Sequence, residues 1–205
     1  KSPIYYVHDL NSLKWLIKNG ANINVQDKNG QTPLHQKVRE SDINSTIILA
    51  KLGANPNITD KNQLPPLAYA KSVKMMQVLL NAGANPNVIT PKGSTILHNC
   101  SKGNNLEAVY YLTQFKADPN ILDKENNSPL DLSSNNDIRT LLLAAGANPN
   151  HKPYLIQALK MNNQEFLNNL LECGANPNVV NEEGMNCAFY IHNQKEIDKL
   201  KSSEL

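Results

Sequence analysis

Polar and apolar positions alternate along this chain in blocks that return about every thirty residues. Each block opens on a polar extended run, such as Ile58-Thr59-Asp60-Lys61-Asn62, with a turn signal at its middle. A short apolar stretch follows, as in Thr32-Pro33-Leu34-His35. Pro suits a first helical turn because its missing N–H has no partner there, and the preceding Thr can cap. A second stretch, Met75-Met76-Gln77-Val78-Leu79-Leu80, places apolar residues at helical spacing. It stops at Gly83, a residue that tolerates the left-handed conformation of helix ends. The predicted unit is therefore hairpin, helix, turn, helix.

A pentapeptide fixes the period. Gly20-Ala21-Asn22-Ile23-Asn24 returns at Gly53, Gly83, Gly146 and Gly174 as Gly-Ala-Asn-Pro-Asn, with a degenerate copy at Lys116-Ala117-Asp118-Pro119-Asn120. The steps are 33, 30, 33, 30 and 28 residues, which points to a tandem copy of a two-unit block with one later deletion. Thr32 to Gly53 is 21 residues, whereas Pro65 to Gly83 and Ser128 to Gly146 are each 18. The three missing residues are expected at the turn between the two helices. The last step has another cause: Pro153 to Gly174 is again 21, but Asn150 to Pro153 is 3 where Asn24 to Thr32 is 8. That unit has lost its hairpin tip.

The run Asp27-Lys28-Asn29-Gly30-Gln31-Thr32-Pro33-Leu34-His35 and the Gly-Ala-Asn-Pro-Asn series closely resemble the ankyrin-repeat family. Thr95-Ile96-Leu97-His98 and Ser128-Pro129-Leu130-Asp131 keep much of the motif, and Pro65-Pro66-Leu67-Ala68 keeps less. The resemblance implies an all-α repeat solenoid of helix-turn-helix units joined by β-hairpin loops. It divides the 205 residues into one domain of seven repeats, roughly 1–26, 27–59, 60–89, 90–122, 123–150, 151–180 and 181–205. Hairpin tips would project to one side of a slightly curved stack, and first helices would line its concave face. Such stacks need capped ends. Lys195, Glu196, Asp198, Lys199 and Lys201 are expected to cap the C-terminal end. Ile4, Tyr5, Tyr6 and Val7 are expected to leave an apolar flank exposed, which would place Lys1 inside a longer protein.

Charge narrows the partner class. Twenty basic against eighteen acidic side chains leave a net +2, too mild to argue for nucleic acid. No apolar run approaches the roughly 20 residues of a membrane span, so no membrane insertion is expected. Cys100, Cys173 and Cys187 are scattered and odd in number, which suits reduced thiols in a cytoplasmic compartment. An Asn-, Lys- and Ile-rich chain is usual for AT-rich genomes. Intracellular bacteria and large DNA viruses with such genomes often carry ankyrin proteins that act inside eukaryotic cells, so delivery into a host cytosol is one expectation. The chain is expected to be a monomer.

Candidate chemistry is sparse. His35 and His98 share one register position but lie two units apart, roughly 20 Å at about 10 Å per layer, too far to share a metal ion. The family implies that the ring bonds backbone and the preceding Thr. The second Asn of each pentapeptide (Asn24, Asn57, Asn87, Asn120, Asn150, Asn178) reads as a turn residue bonding nearby backbone. Modification by a host asparagine hydroxylase is the alternative that the family implies. Lys28, Lys61, Lys92 and Lys124 recur on successive tips, with Asp27, Asp60 and Asp123 beside three of them, so a mixed-charge edge is expected rather than a phosphate-binding ridge. No phosphate-cradling loop, metal-spaced set or nucleophile elbow is present, so neither an enzyme nor a cofactor is expected.

The expected binding surface is the concave face and tips. The family places Gln31, Arg39 and Glu40 there from the second unit, and Leu64 and Tyr69 from the third. Ser94 and Lys102 come from the fourth, Asn127 from the fifth, Lys160 from the sixth, and Met185 and Tyr190 from the seventh. Leu64 and Met185 are expected as exposed apolar groups, and Tyr69 and Tyr190 as amphipathic anchors. Folding back of Leu64 and Tyr69 to patch a unit that lost its glycine at Gln63 is the competing reading. The missing tip near His151-Lys152 would leave a notch with nothing distinctive lining it. Two functions follow: a scaffold that binds another protein, or the targeting arm of a larger enzyme or effector.

Overall fold

The computed structural model of the chain describes residues 2–191. Nine α-helices are bounded at both ends within these residues: α1 (Leu10–Lys18), α2 (Pro33–Arg39), α3 (Ile43–Lys51), α4 (Val73–Asn81), α5 (Ile96–Lys102), α6 (Leu106–Gln114), α7 (Asn136–Ala144), α8 (Tyr154–Lys160) and α9 (Gln164–Glu172), and a further helical stretch opens at residue 187. Pro3–Tyr5 and Pro66–Tyr69 form 3₁₀ turns. The seven-residue helices α2, α5 and α8 make an inner row. The other six, nine residues each, make an outer row in which each packs on the next. No helix among the described residues is long and apolar enough to cross a membrane. The residues expected to cap the C-terminal end, Lys195, Glu196, Asp198, Lys199 and Lys201, lie outside the described range.

Local chemistry starts and stops each helix. Thr32 and Thr95 accept the third-residue amide of α2 and α5, and Asp9, Asp42, Ser72, Asn105, Asn135 and Asn163 do so for the outer helices. A cap of this kind stabilises a helix by about 1 kcal/mol. At the other end of α4, Gly83 takes φ +87°, and Gly83 and Ala84 donate to the Leu80 and Leu79 carbonyls at 3.0 Å each. Lys116 holds the same left-handed place after α6 at φ +63°.

Two leucine columns form the core. Leu34, Leu67, Leu97, Leu130 and Leu155 stack from the inner elements, and Leu49, Leu79, Leu112, Leu142 and Leu170 from the outer row; all ten are buried. Each contributes roughly 1.5–3 kcal/mol by leaving water. Because one column belongs to each row, no unit can bury its apolar face without its neighbours.

The three missing residues come from a different place than the spacing predicts. Three residues (40–42) separate α2 from α3, and three (70–72) separate Pro66–Tyr69 from α4. The linker is unchanged and the inner helix is shortened, from seven residues to a four-residue 3₁₀ turn. In the fifth unit, residues 128–133 form only turns. The long units end their inner helices on a left-handed residue, Ser41, Asn104 or Asn162, and the short units have no such residue there. The N-terminal flank also differs from expectation: Ile4 and Tyr5 are buried, Val7 is half-buried, and Tyr6 alone of the four is exposed, at 64%.

The hairpin loops are tight turns, and no strand forms among the described residues. Asp27 donates its N–H to the Gln31 carbonyl and accepts from Gly30 N–H, while its carboxylate takes the Asn29 and Gln31 amides. Successive tips approach closely. A Cβ at Gly30 would stand 2.8 Å from the Lys61 nitrogen, and Lys61 N–H donates to the Asn29 carbonyl at 3.0 Å.

The pentapeptide asparagines divide their labour. The first of each pair closes the turn: Asn22, Asn55, Asn85, Asn148 and Asn176 accept the backbone N–H two residues on, and Asp118 does the same in the degenerate copy. The second bridges units instead of serving its own turn. Asn24, Asn57, Asn87, Asn120 and Asn150 accept N–H groups of Asn55, Asn85, Asp118, Asn148 and Asn176 at 2.6–2.8 Å. Four of these amides also donate onward, Asn57 to Gly83 and Asn120 to Gly146 at 2.9 Å each, with Asn87 and Asn150 at longer range.

Two stability predictions follow from these contacts. Gly83→Val should lower stability by about 1 kcal/mol or more through left-handed strain, and Lys116→Gly should raise it by up to about 1 kcal/mol; denaturant melts that place both variants on the wild-type curve would contradict the assigned helix ends. Asn57→Ala removes an acceptor and a donor between units and should cost about 1 kcal/mol or more. The exposed helix substitution Asn44→Ala should stay within about 0.5 kcal/mol, and equal melts for these two would remove the bridging role.

Candidate partner-binding face

The tips and the inner helices form one face of the stack, held together by side chains that cross between units. His35 is buried; Thr32 N–H donates to its Nδ1 at 3.1 Å, so Nε2 carries the proton and donates to the Leu64 carbonyl at 3.1 Å. Burial lowers the His35 pKa despite the opposing pull of that carbonyl, which keeps the ring neutral. His98 repeats the arrangement onto the Asn127 carbonyl at 3.0 Å. Tyr5, one register earlier, sets its hydroxyl 2.6 Å from the Gln31 carbonyl. Among the described residues no His, Cys, Asp and Glu group is placed to hold a metal ion.

Two tyrosines on this face are clamped in one geometry. The Tyr69 hydroxyl donates to Asp60 at 2.6 Å, its ring meets His35 edge-on, and the Arg39 guanidinium lies 5.0 Å from the ring centre. The Tyr190 hydroxyl accepts from Asn181 at 2.9 Å, and Lys160 Nζ lies 4.9 Å from that ring. In both clamps the cation precedes the tyrosine by thirty residues, and the tip residue precedes the tyrosine by nine. Such cation–ring contacts add about 0.5–1 kcal/mol when exposed. Burial works to raise the Asp60 pKa, but the Tyr69 hydroxyl and the Leu64 and Asn62 amides outweigh it and hold the carboxyl below its ordinary value.

The expected contact residues are only partly gathered. Leu64 and Ser94 line a groove of ≈ 590 Å³ between the third and fourth tips, with Lys61, Lys92 and Asn99. Arg39 and Tyr69 form the first clamp, and Lys160 and Tyr190 the second. Glu40 is exposed and takes the Gln36 amide at 2.7 Å; Lys102 is exposed on the last turn of α5. Gln31 is half-buried and its amide N–H is held by Asp27. Leu64 and Met185 are half-buried rather than exposed, because each closes a tip turn with its own backbone. Asn127 is engaged internally: its side chain accepts from Lys152 at 2.7 Å and faces Asp123.

The notch is more built than its sequence suggests. Asp131 stands in the register position of His35 and His98. It accepts the Tyr154 hydroxyl at 2.8 Å and the Ser128 amide at 2.7 Å, with Lys152 Nζ at 3.3 Å. His151 Nε2 reaches the Asn126 carbonyl at 3.0 Å and so covers the outer side of the fifth tip. Beside this cluster a groove of ≈ 580 Å³ opens, lined by Asp131, Lys152 and Lys160 and, from the seventh tip, by Val180, Glu182 and Glu183. The legible signal was a carboxylate at Asp131 where the register expects an imidazole.

A stack of paired helices with bonded tips defines a repeat solenoid whose working surface is spread over many units instead of closing into one cleft. The profile for ankyrin repeats (3 copies) matches residues 4–90 and 68–153, and the chain belongs to the ankyrin-repeat family. Members of this family are generally protein–protein interaction modules and typically non-catalytic. An ankyrin repeat protein of fowlpox virus (strain NVSL) is 32% identical over 192 residues, covering 89% of this chain and 22% of that protein. A second from the same virus is 32% identical over 120 residues, 57% of this chain and 64% of that protein. The chain thus spans less than two thirds of either relative. The crystal structure of an ankyrin repeat domain from Acinetobacter baumannii AYE matches with a TM-score of 0.69 and 26% identity, over 85% of this chain and 98% of that chain.

The depressed Asp60 pKa gives a test of the first clamp. A folded-state pKa below the ordinary 3.8 means that the carboxylate stabilises the stack above that pH and that this contribution disappears as the pH falls below it. Asp60→Asn should therefore show a shallower loss of stability than wild type as the pH falls below about 4. Superimposable acid limbs would mean that Asp60 carries no differential charge stabilisation.

Proposed function

We propose that the chain binds a partner protein through the tip-side face, as a single stack of seven units, with the notch in place of the sixth tip as its central seat. The observation that carries this reading is the ≈ 580 Å³ groove there, lined by Lys160 and the Lys152–Asp131 pair and, from the seventh tip, by Glu182 and Glu183. A gap one tip wide with both charge signs fits a projecting loop of a folded partner, which would set orientation by charge and gain affinity from a few central anchors. Arg39, Tyr69, Lys160 and Tyr190 are the anchors, because their clamps hold aromatic rings in fixed orientations. Leu64, Ser94 and Met185 add apolar and small contacts, and Gln31, Glu40 and Lys102 form the polar rim. Asn127 acts by positioning Lys152.

A second reading, that this stack is the targeting arm of a larger effector, is favoured by the share of the first fowlpox relative that it covers, 22%. In either case its setting would be the cytosol of a eukaryotic cell, in keeping with relatives encoded by a large DNA virus.

Quantitative affinity capture from eukaryotic cytosolic lysate tests the reading. Wild type should retain a defined protein that the double variant Lys160→Glu, Glu183→Lys loses by about tenfold or more, while the outer-row variant Lys74→Glu keeps it. Equal loss from both variants, or retention by neither wild type nor control, would refute the tip-side seat.

A further inference from the structure

The outer row carries a second surface that the tip-side reading does not use. Its second helical position runs Asn11, Asn44 and Lys74 in α1, α3 and α4, then Glu107, Asp137 and Glu165 in α6, α7 and α9. The three carboxyl residues occur at one register in three successive helices of the outer row. They rim a groove of ≈ 690 Å³ whose floor is Leu106, Tyr110 and Leu141. Leu106 is 39% exposed and Tyr110 46%, in the outermost layer of the fold. The Tyr111 ring braces Tyr110 edge-on with centroids 5.4 Å apart, so the floor is held in place before anything binds.

A carboxylate near a helix N-terminus is favourable in its own right. That alone does not account for the ladder, because α1, α3 and α4 do without an acid at the same position. No lysine or arginine lines the groove. The nearby Arg139 is buried instead, with its guanidinium 4.5 Å from the Phe166 ring centre and its Nε on the Ser133 carbonyl, so it does not neutralise the rim. Asn136 Nδ2 holds Glu165 at 2.8 Å and fixes one end of the rim.

We propose that this groove docks a cationic amphipathic helix of a partner protein, with apolar side chains on Leu106, Tyr110 and Leu141 and lysine or arginine against Glu107, Asp137 and Glu165. The argument for that occupant is charge complementarity around an apolar floor, the pattern of helix-in-groove recognition. The site lies on the row opposite the tips, so it is independent of the tip-side partner.

The test uses a fluorescent helix-forming peptide with one leucine face and one lysine face, its glutamate counterpart, and the full chain. Anisotropy should show saturable binding of the lysine peptide and none of the glutamate peptide. Tyr110→Ser and Glu107→Lys should each weaken it about tenfold, while the tip variant Glu183→Gln leaves it unchanged; both substituted groove residues are exposed, and a wild-type melt checks each fold. Binding that Glu107→Lys abolishes but Tyr110→Ser leaves intact would overturn the groove in favour of diffuse charge attraction. Concentration-dependent dimerisation in sedimentation, lost with Glu107→Lys, would overturn it in favour of a second copy offering the basic half of its own outer row.

Discussion

Each unit is tied to the next by an asparagine amide that satisfies backbone groups across the gap between them. Asn57 is the clearest case, accepting the Asn85 N–H at 2.8 Å and donating its own side-chain N–H to the Gly83 carbonyl at 2.9 Å. The bond anchors to the pentapeptide and not to the helices, so units of different length join through the same geometry. Its sequence separation varies from 26 to 31 residues while its length stays within 2.6–2.8 Å. Deletions that shorten an inner helix or remove a tip therefore leave the joint intact. The leucine columns supply most of the free energy, but this amide sets the register in which they meet.

A second link explains why the fifth and sixth units depart from the pattern together. In the second and fourth units a histidine donates to the carbonyl that follows the next tip, and Tyr5 does the same from the first. Asp131 cannot donate when ionised; it needs donors. The next unit supplies them through Lys152 and Tyr154, side chains that stand where the missing tip would end and α8 begins. Lys152 and His151 also cover the fifth tip, using groups that a sixth tip would otherwise have covered with its own backbone. The lost tip and the carboxylate at 131 are two parts of one local solution, and the groove beside them is its consequence.

The two faces of the stack thus differ in kind. The tip side is shaped by what is missing and by clamped aromatic rings, with charge of both signs. The outer side is a regular row of helices whose charge changes sign midway, from lysines in α1, α3 and α4 to carboxylates in α6, α7 and α9. A solenoid allows this separation because outward-facing positions are not needed for the core, so each face can vary without disturbing the columns.

The sequence by itself determined the period, the order of elements in the full-length units, the threonine caps of α2 and α5, the glycine helix ends and the missing sixth tip. All of these are written within a few neighbouring residues: Thr before Pro, Gly after Leu-Leu, a pentapeptide that repeats. The roles of His35 and His98 were legible too, through the family motif. Only the tertiary structure decided that the second asparagine bridges units instead of closing its own turn, that the inner helix instead of the linker absorbs a three-residue deletion, and that Tyr5 is buried. It also decided that Leu64 and Met185 are half-buried and that Asp131 is the hub of the notch. The partners in most of these contacts lie twenty or more residues apart. Which carbonyl or ring a side chain meets depends on how far the neighbouring unit has been shifted, and no local pattern records that distance.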